Sequence, residues 1–296
     1  MASIHKVGVL GCGLMGSGIA QVSARAGYDT VVREIDQETL DRGLESIRKS
    51  LDRAVKREKM TADERDEVLG RITGTVDFGP LADRDIVVEA VVEDLSVKEQ
   101  VFGKLDELCG PDTIFASNTS SLTVTEMASV TGRPERFVGL HFFNPVPVMA
   151  LVEVVRTGFT SDETFDAAWA FAESVGKQPV ACRDNSGFIV NRLLVPYMLD
   201  AIRAYEEGVG SIEDIDKGMK LGCGYPMGPF TLGDFVGLDT LHKITEIMFD
   251  EYREKRFASP ALLKRMVTAG HYGRKSGAGF YDYSGDEPVV NDFVKR

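Results

Sequence analysis

The chain is short of cysteine, of basic charge and of long apolar runs, and each shortage removes a class of protein. Four cysteines, Cys12, Cys109, Cys182 and Cys223, are scattered through 296 residues with no C-x-x-C pair. That spacing fits neither a disulfide framework nor a zinc site, so free thiols in a reducing compartment and no bound metal are expected. Lysine and arginine number 34 against 46 acidic residues, a net charge of −12. Such a surface argues against nucleic acid and against anionic membranes as partners. No apolar run reaches the ~18 residues of a membrane span. The opening residues, MASIHKVGVL, read as going almost directly into a strand, so no signal or transit peptide is expected. A soluble, cytoplasmic protein is the expectation. Histidine is also scarce, with 4 in the chain, so each can be weighed singly.

What is present is periodicity. Short β-rich runs recur at 6–10, 29–34, 85–91, 112–118, 136–142 and 151–155, and read as buried parallel strands. Helical stretches lie between them at 14–26, 37–59, 96–108, 122–129 and 162–175, and a last strand, QPVAC, at 178–182. Alternation of this kind predicts a doubly wound α/β sheet. Residues 37–70 are too long for a simple crossover and read as a helical hairpin, broken near Met60, with Thr61 capping its second helix. The first helix of that hairpin has an apolar stripe (Leu40, Leu44, Ile47, Leu51, Val55) and a basic one (Lys49, Arg53, Lys56, with Arg57 beside it). After about Asp184 the strands stop. The remainder reads as helices at 187–208, 211–221, 229–235, 238–256 and 260–269, ending in the glycine-rich coil GRKSGAGFYDY. Two domains are expected, 1–184 with the 37–70 arm, and an all-α domain at 185–296.

The string LGCGLMGSGIAQ contains G-x-G-x-x-G at Gly11, Gly13 and Gly16. Alone it is a weak signal. Here it follows a strand, opens a helix, and Glu34 closes the next strand 23 residues after Gly11. That context makes a Rossmann-type dinucleotide site: Gly11 for the tight turn, Gly13 for close approach of a pyrophosphate, Gly16 for helix packing, Glu34 for the ribose hydroxyls. The acid favours NAD. Arg33 beside it is the kind of residue that holds a 2′-phosphate, so NADP stays open as the less favoured cofactor.

Of the four histidines, His5 is terminal and His242 and His271 sit among ordinary helix residues. His141 ends an apolar strand and opens HFFNPVPVM, at the sheet edge where α/β proteins bind ligands. Glu153 lies inside LVEVV, and a buried carboxylate needs a partner. Paired, the two would form a general base. SNTSSLTVTE follows another strand end. Its hydroxyls could bond substrate or cofactor, or Ser120 or Ser121 could cap the helix from Leu122; both readings stay open.

GLMGSGIAQ, ASNTSSL, GLHFFNPVPVM, LVEVV, GFIVNRLL, DIDKGMKLG, PMGPFTLGDFVGLD and GRKSGAGFYDY run in this order over nearly the whole chain. Together they resemble the L-3-hydroxyacyl-CoA dehydrogenase family, in its small stand-alone form acting on 3-hydroxybutyryl-CoA. The resemblance implies reversible NAD-dependent oxidation of a short L-3-hydroxyacyl-CoA to the 3-ketoacyl-CoA. It implies His141 as catalytic base, Glu153 as its paired carboxylate, Ser120 on the substrate oxygen, and Asn191 as an active-site amide. It implies cofactor contacts at Leu14, Met15, Ala90, Glu93, Lys98, Asn118, Ser120, Asn144 and Lys275 besides the glycines and Glu34. Arg53, Lys56 and Arg57 would hold the CoA phosphates, and a homodimer would form through the helical domain. The chain departs from the family's pattern at Glu34, where Asp is common, at Ser186-Gly187, where Pro-Gly is usual and whose loss should loosen the hinge, and at Arg53 and Arg57, where lysines are frequent. Two other readings remain: a dehydrogenase of a free hydroxy or sugar acid on the same fold, and a non-catalytic NAD-binding protein.

Overall fold

A computed structural model describes residues 4–295, so the outer limits of the two expected domains, at residues 1 and 296, lie outside the described residues. The chain divides into two compact units, the first ending at Phe188 and the second beginning at Ile189. Among the described residues no helix is long and apolar enough to cross a membrane.

The first unit is built on an eight-stranded sheet. Its elements in chain order are β1 (Lys6–Leu10), α1 (Leu14–Arg25), β2 (Asp29–Arg33), α2 (Gln37–Lys56), α3 (Ala62–Gly70), β3 (Ile72–Thr75), β4 (Ile86–Glu89), α4 (Leu95–Leu108), β5 (Ile114–Ser117), α5 (Val124–Ser129), β6 (Phe137–Phe142), β7 (Leu151–Arg156), α6 (Asp162–Ser174) and β8 (Gln178–Arg183). The spatial order is β3-β2-β1-β4-β5-β6-β7-β8. Strand order reverses between β1 and β4, which puts a ligand crevice outside the carboxyl ends of those two strands. Alternation along the strands fills two cores: Val7, Val9 and Val88 with α1 and α6 on one face, Leu10, Val87, Phe115 and Phe137 with α4 on the other.

Two expectations need correction. The six main strands were all expected to be parallel, but β7 runs antiparallel to β6. The reason is the connection: residues 143–150 are too few for a helical crossover, so the chain must turn back. β8 then pairs parallel with β7. The second correction is at α5. Neither Ser120 nor Ser121 caps it; the helix starts at Val124, and the Asp184 carboxylate accepts the N–H groups of Val124 and Thr125 at 2.9 and 2.6 Å. Ser186 adds to this staple by donating to the Ser121 carbonyl at 2.6 Å, a bond that proline could not make. The β3 strand was not anticipated at all.

The hairpin forms as its local chemistry dictates. Thr61 accepts from the Glu64 N–H at 3.1 Å and Glu64 accepts from the Thr61 N–H at 2.7 Å, a reciprocal capping box that starts α3. Leu40, Ile47 and Leu51 bury the inner face of α2, leaving Arg53 and Lys56 exposed on the outer one and Arg57 exposed directly after the helix.

The second unit consists of α7 (Val190–Glu206), α8 (Ile212–Cys223), α9 (Pro229–Val236), α10 (Leu238–Tyr252) and α11 (Ala261–Thr268), with a two-stranded ribbon at 281–290. Leu199, Phe230, Leu241, Met248, Phe257, Leu263 and Phe280 form its core. Two buried carboxylates organise it. Asp216 accepts the first N–H groups of α9, from Phe230 and Thr231, and the Tyr281 hydroxyl. Asp234 accepts from Phe280 N, Tyr281 N and the Tyr283 hydroxyl. Burial pushes the Asp234 carboxyl up to about 6. These bonds account for Asp216 in DIDKGMKLG, for Asp234 in PMGPFTLGDFVGLD and for both tyrosines of GFYDY.

Candidate active site

The nucleotide crevice starts at the turn after β1. Gly11 has φ +96°, which side chains rarely adopt, and a Cβ there would lie 2.6 Å from the Ala90 carbonyl oxygen at the end of β4. A Cβ on Gly16 would lie 1.9 Å from the Gly11 carbonyl oxygen, so only glycine lets α1 pack onto the turn. At Gly13 a Cβ would meet nothing within 4 Å. Gly13 is the N-cap of α1 and no side chain caps it. The helix therefore opens towards free space with its positive end, flanked by exposed Leu14 and half-buried Met15. Glu34 completes the rim, accepting from Cys12 N through Oε2 and from Ile35 N through Oε1, both at 2.7 Å. This cradle fits a dinucleotide. Burial and the Glu34 charge push the Cys12 thiol up to about 12, so it is inert there.

The catalytic candidates follow from register. In the antiparallel β6–β7 pair His141 stands directly opposite Glu153, and directly opposed residues point to the same face. Their side chains meet at 2.6 Å, His141 Nδ1 to Glu153 Oε2. His141 is 6% exposed and Glu153 wholly buried. A carboxylate only accepts, so Nδ1 carries the proton and Nε2 keeps its lone pair. The rings of Phe143 and Phe188 lie 4.4 and 5.6 Å from the imidazole, closing it off from water on those sides.

Beside it, the SNTSS loop rests on a buried polar network. Asn118 Oδ1 accepts the Phe142 N–H at 2.8 Å, tying the end of β5 to the residue after His141. Glu93 Oε1 accepts from Thr119 Oγ1 at 2.5 Å and from Ser120 N at 3.0 Å. Lys98 is fully buried, with Nζ 2.6 Å from Glu89 and 3.3 Å from Glu93. Burial alone would raise Glu93; the Lys98 charge and the Thr119 and Ser120 donors outweigh it and hold the carboxyl below its ordinary value. Glu89 went unremarked in the sequence. It is wholly buried at the end of β4 and accepts from Lys98, from Ser117 Oγ at 2.6 Å and from Val91 N at 2.7 Å. The signal was there: DIVVEAV sets an acid among aliphatics just as LVEVV does.

The structure thus brings His141, Glu153, Asn118, Ser120, Glu93 and Lys98 to one edge of the first unit, with Gly11, Gly13, Gly16, Glu34 and Ala90 at the crevice. Asn144 is exposed in the loop after β6. Arg53, Lys56 and Arg57 lie on α2 or directly after it. Asn191, in the first turn of α7, and Lys275, whose Nζ pairs with Asp239 at 2.6 Å, belong to the second unit. Among the described residues no group of histidine, cysteine and acidic side chains is arranged to hold a metal ion.

Comparison with known proteins agrees along nearly the whole chain. Residues 6–185 match the family described as 3-hydroxyacyl-CoA dehydrogenase, NAD binding domain, and residues 187–283 its C-terminal domain. A 3-hydroxybutyryl-CoA dehydrogenase of Mycobacterium tuberculosis is 51% identical over 95% of this chain and 99% of its own. The human mitochondrial hydroxyacyl-coenzyme A dehydrogenase is 46% identical over 95% of this chain and 91% of its own. Among solved structures, M. tuberculosis FadB2 superposes with a TM-score of 0.93 (51% identity, 95% of this chain, all of that one). The (S)-3-hydroxybutyryl-CoA dehydrogenase PaaH1 of Ralstonia eutropha gives 0.91 (43% identity, 96% and 100%).

Proposed function

The chain belongs to the 3-hydroxyacyl-CoA dehydrogenase family, and from that premise we propose that it interconverts a short L-3-hydroxyacyl-CoA, of the 3-hydroxybutyryl class, and its 3-ketoacyl-CoA. The observation that carries the chemistry is the buried 2.6 Å contact between His141 and Glu153. In the oxidative direction His141 Nε2 takes the proton of the substrate's 3-hydroxyl. Glu153 holds the imidazole in the tautomer that makes this possible and stabilises the imidazolium that results, as the carboxylate of a hydrolase triad does. Ser120 bonds the substrate oxygen. Glu93, fixed by Lys98, holds the Ser120 backbone and so the loop's geometry. NAD, when bound, supplies the hydride acceptor. In reverse, His141 returns the proton to the ketone oxygen. For Asn191 and Lys275 the proposed roles, a substrate amide and a cation near the cofactor, rest on the motifs GFIVNRLL and GRKSG.

The arm is the proposed CoA handle. Arg53, Lys56 and Arg57 are exposed cations with no ion-pair partner within 4 Å among the described residues, on a chain of net charge −12. Changing Arg53 and Lys56 together to alanine should raise KM for acetoacetyl-CoA roughly tenfold and leave kcat within about twofold, since remote contacts bind ground and transition states alike. KM for an acetoacetyl thioester lacking the nucleotide should not move. An unchanged KM for the CoA ester rules the handle out. Activity on free 3-hydroxybutyrate equal to that on its CoA ester would instead favour a free-acid enzyme.

The helical unit also carries exposed apolar side chains, Leu193 (71%), Tyr225 (46%) and Ile189 (41%), around a groove of about 440 Å³. A patch of this kind marks an interface, and a homodimer is the proposed occupant of that face. Light scattering at micromolar protein should give twice the chain mass; a single-chain mass would exclude it. A cytoplasmic location is proposed on the free cysteines, Cys12, Cys109, Cys182 and Cys223.

A further inference from the structure

Arg33 and Glu34 are neighbours at the end of β2, and they make opposite demands on a nucleotide. A carboxylate suits the two free ribose hydroxyls of NAD; a guanidinium suits the 2′-phosphate of NADP. The structure treats the two side chains very differently. Glu34 is fixed towards the glycine turn by its bonds from Cys12 N and Ile35 N. Arg33 is drawn the other way, to the segment that follows β3. Its Nε donates to the Val76 carbonyl at 3.1 Å, and its guanidinium carbon lies 4.2 Å from the centroid of the Phe78 ring. The same ring also meets Lys104 of α4, whose Nζ is 4.1 Å from the centroid. Arg33 is half-buried there. Burial lowers its pKa, against the opposing pull of Glu34 and Asp77, but a guanidinium stays charged throughout the physiological range. The cation is therefore satisfied by a ring face and a carbonyl, with nothing in that arrangement aimed at the ribose.

Resting on the dinucleotide reading of the crevice, we propose that Phe78 is a specificity-determining residue: its ring, with the Val76 carbonyl, parks Arg33 away from the ribose 2′ position, so that Glu34 alone addresses the ribose and the site takes NAD over NADP. The sequence signal, an arginine beside the ribose acid, would on its own weaken that preference; Phe78, 45 residues further on, cancels it. Only the ring is exchanged in the test below. The Val76 carbonyl remains, so a partial change of preference is expected. Loss of one partly desolvated cation–π contact corresponds to roughly a tenfold change in an equilibrium.

The test is binding, not turnover. Kd values for NADH and NADPH are measured by nicotinamide fluorescence on the wild type, Phe78→Ala, Phe78→Leu, Arg33→Ala and the double variant Phe78→Ala/Arg33→Ala. The ratio of the two Kd values cancels any effect of the ring on the adenosine half common to both ligands. Phe78→Leu keeps apolar bulk at a half-buried position, so it guards against a variant that merely misfolds. The wild type should bind NADH at least tenfold more tightly than NADPH, and Arg33→Ala alone should leave that preference near wild type. Both Phe78 variants should lower it about tenfold through tighter NADPH binding, and adding Arg33→Ala to Phe78→Ala should restore it. A ratio within twofold of wild type in both Phe78 variants overturns the proposal. So does a gain that survives in the double variant, because space rather than the freed arginine would then explain it. Wild-type protein that binds NADPH as tightly as NADH also overturns it. Wild-type protein that binds neither nucleotide is a different failure, one of the dinucleotide reading itself, and takes the Phe78 role with it.

Discussion

His141→Ala is expected to lower kcat for acetoacetyl-CoA reduction by ~10²–10⁴, the range for removal of a positioned general acid or base, with NADH affinity within about twofold of wild type. The separation of the two effects follows from placement. The proposed cradle for the nucleotide is the turn after β1, the start of α1 and Glu34. His141 stands at the end of β6, two strands beyond β4 in the sheet. The imidazole touches Glu153, Phe143 and Phe188, so its removal leaves the turn untouched. A variant that keeps more than about a tenth of wild-type kcat means that another group moves the proton.

Glu153→Gln should be nearly as damaging, with kcat down by ~10²–10⁴, by the logic that makes the carboxylate of a triad indispensable. Glutamine is close to isosteric, so packing in the fully buried site is kept. Its amide can donate to Nδ1, which favours the tautomer with the proton on Nε2, the wrong nitrogen for a base. It also leaves the imidazolium formed in the reaction without an opposite charge. In the proposed mechanism both residues serve one proton transfer, so His141→Ala/Glu153→Gln should be no slower than His141→Ala alone. Additive losses in that cycle would mean that Glu153 acts independently of His141. Glu153→Ala is the poorer probe, since it strands the Nδ1 proton in a buried site at a cost of about 1–3 kcal/mol.

What could be read from the sequence was what is local or strictly periodic. β1, the glycine turn and α1 are recognisable because a buried strand, three glycines and a helix stand in a row. The break at Thr61 is recognisable because a capping box spans four residues. β3 was not, because ITGT is short, carries a glycine and is only partly buried at the edge of the sheet, so it has neither alternation nor a long apolar run. Strand direction was lost at β7 because LVEVV has the composition of a parallel core strand; only the eight-residue link to β6 speaks for the turn. The cap of α5 comes from Asp184, 60 residues from Val124, and no local pattern could supply it. The same separation explains Ser186. Its hydroxyl donates to the Ser121 carbonyl, 65 residues earlier in the chain, a partner that no local pattern reveals.

The site divides the same way. His141 and Glu153 were found as a pair because each is anomalous in its own strand, and the register then sets them side by side. Glu89 is equally anomalous and passed unnoticed because no histidine drew attention to it. Its partner Lys98 lies nine residues on, in α4, and a lysine in an amphipathic helix looks solvated until the fold buries it. Arg33 could not be judged from its neighbours at all, since Phe78 decides where it points.

The most direct measurement is the initial rate of acetoacetyl-CoA reduction by the wild-type protein, with NADH and NADPH side by side. Turnover with NADH, at a kcat/KM at least tenfold above that with NADPH, is the expected result. It would establish the reaction, the CoA substrate and the part of Glu34 together. A folded protein that binds NADH yet reduces no acetoacetyl-CoA would contradict the assignment of His141 and Glu153 to this chemistry.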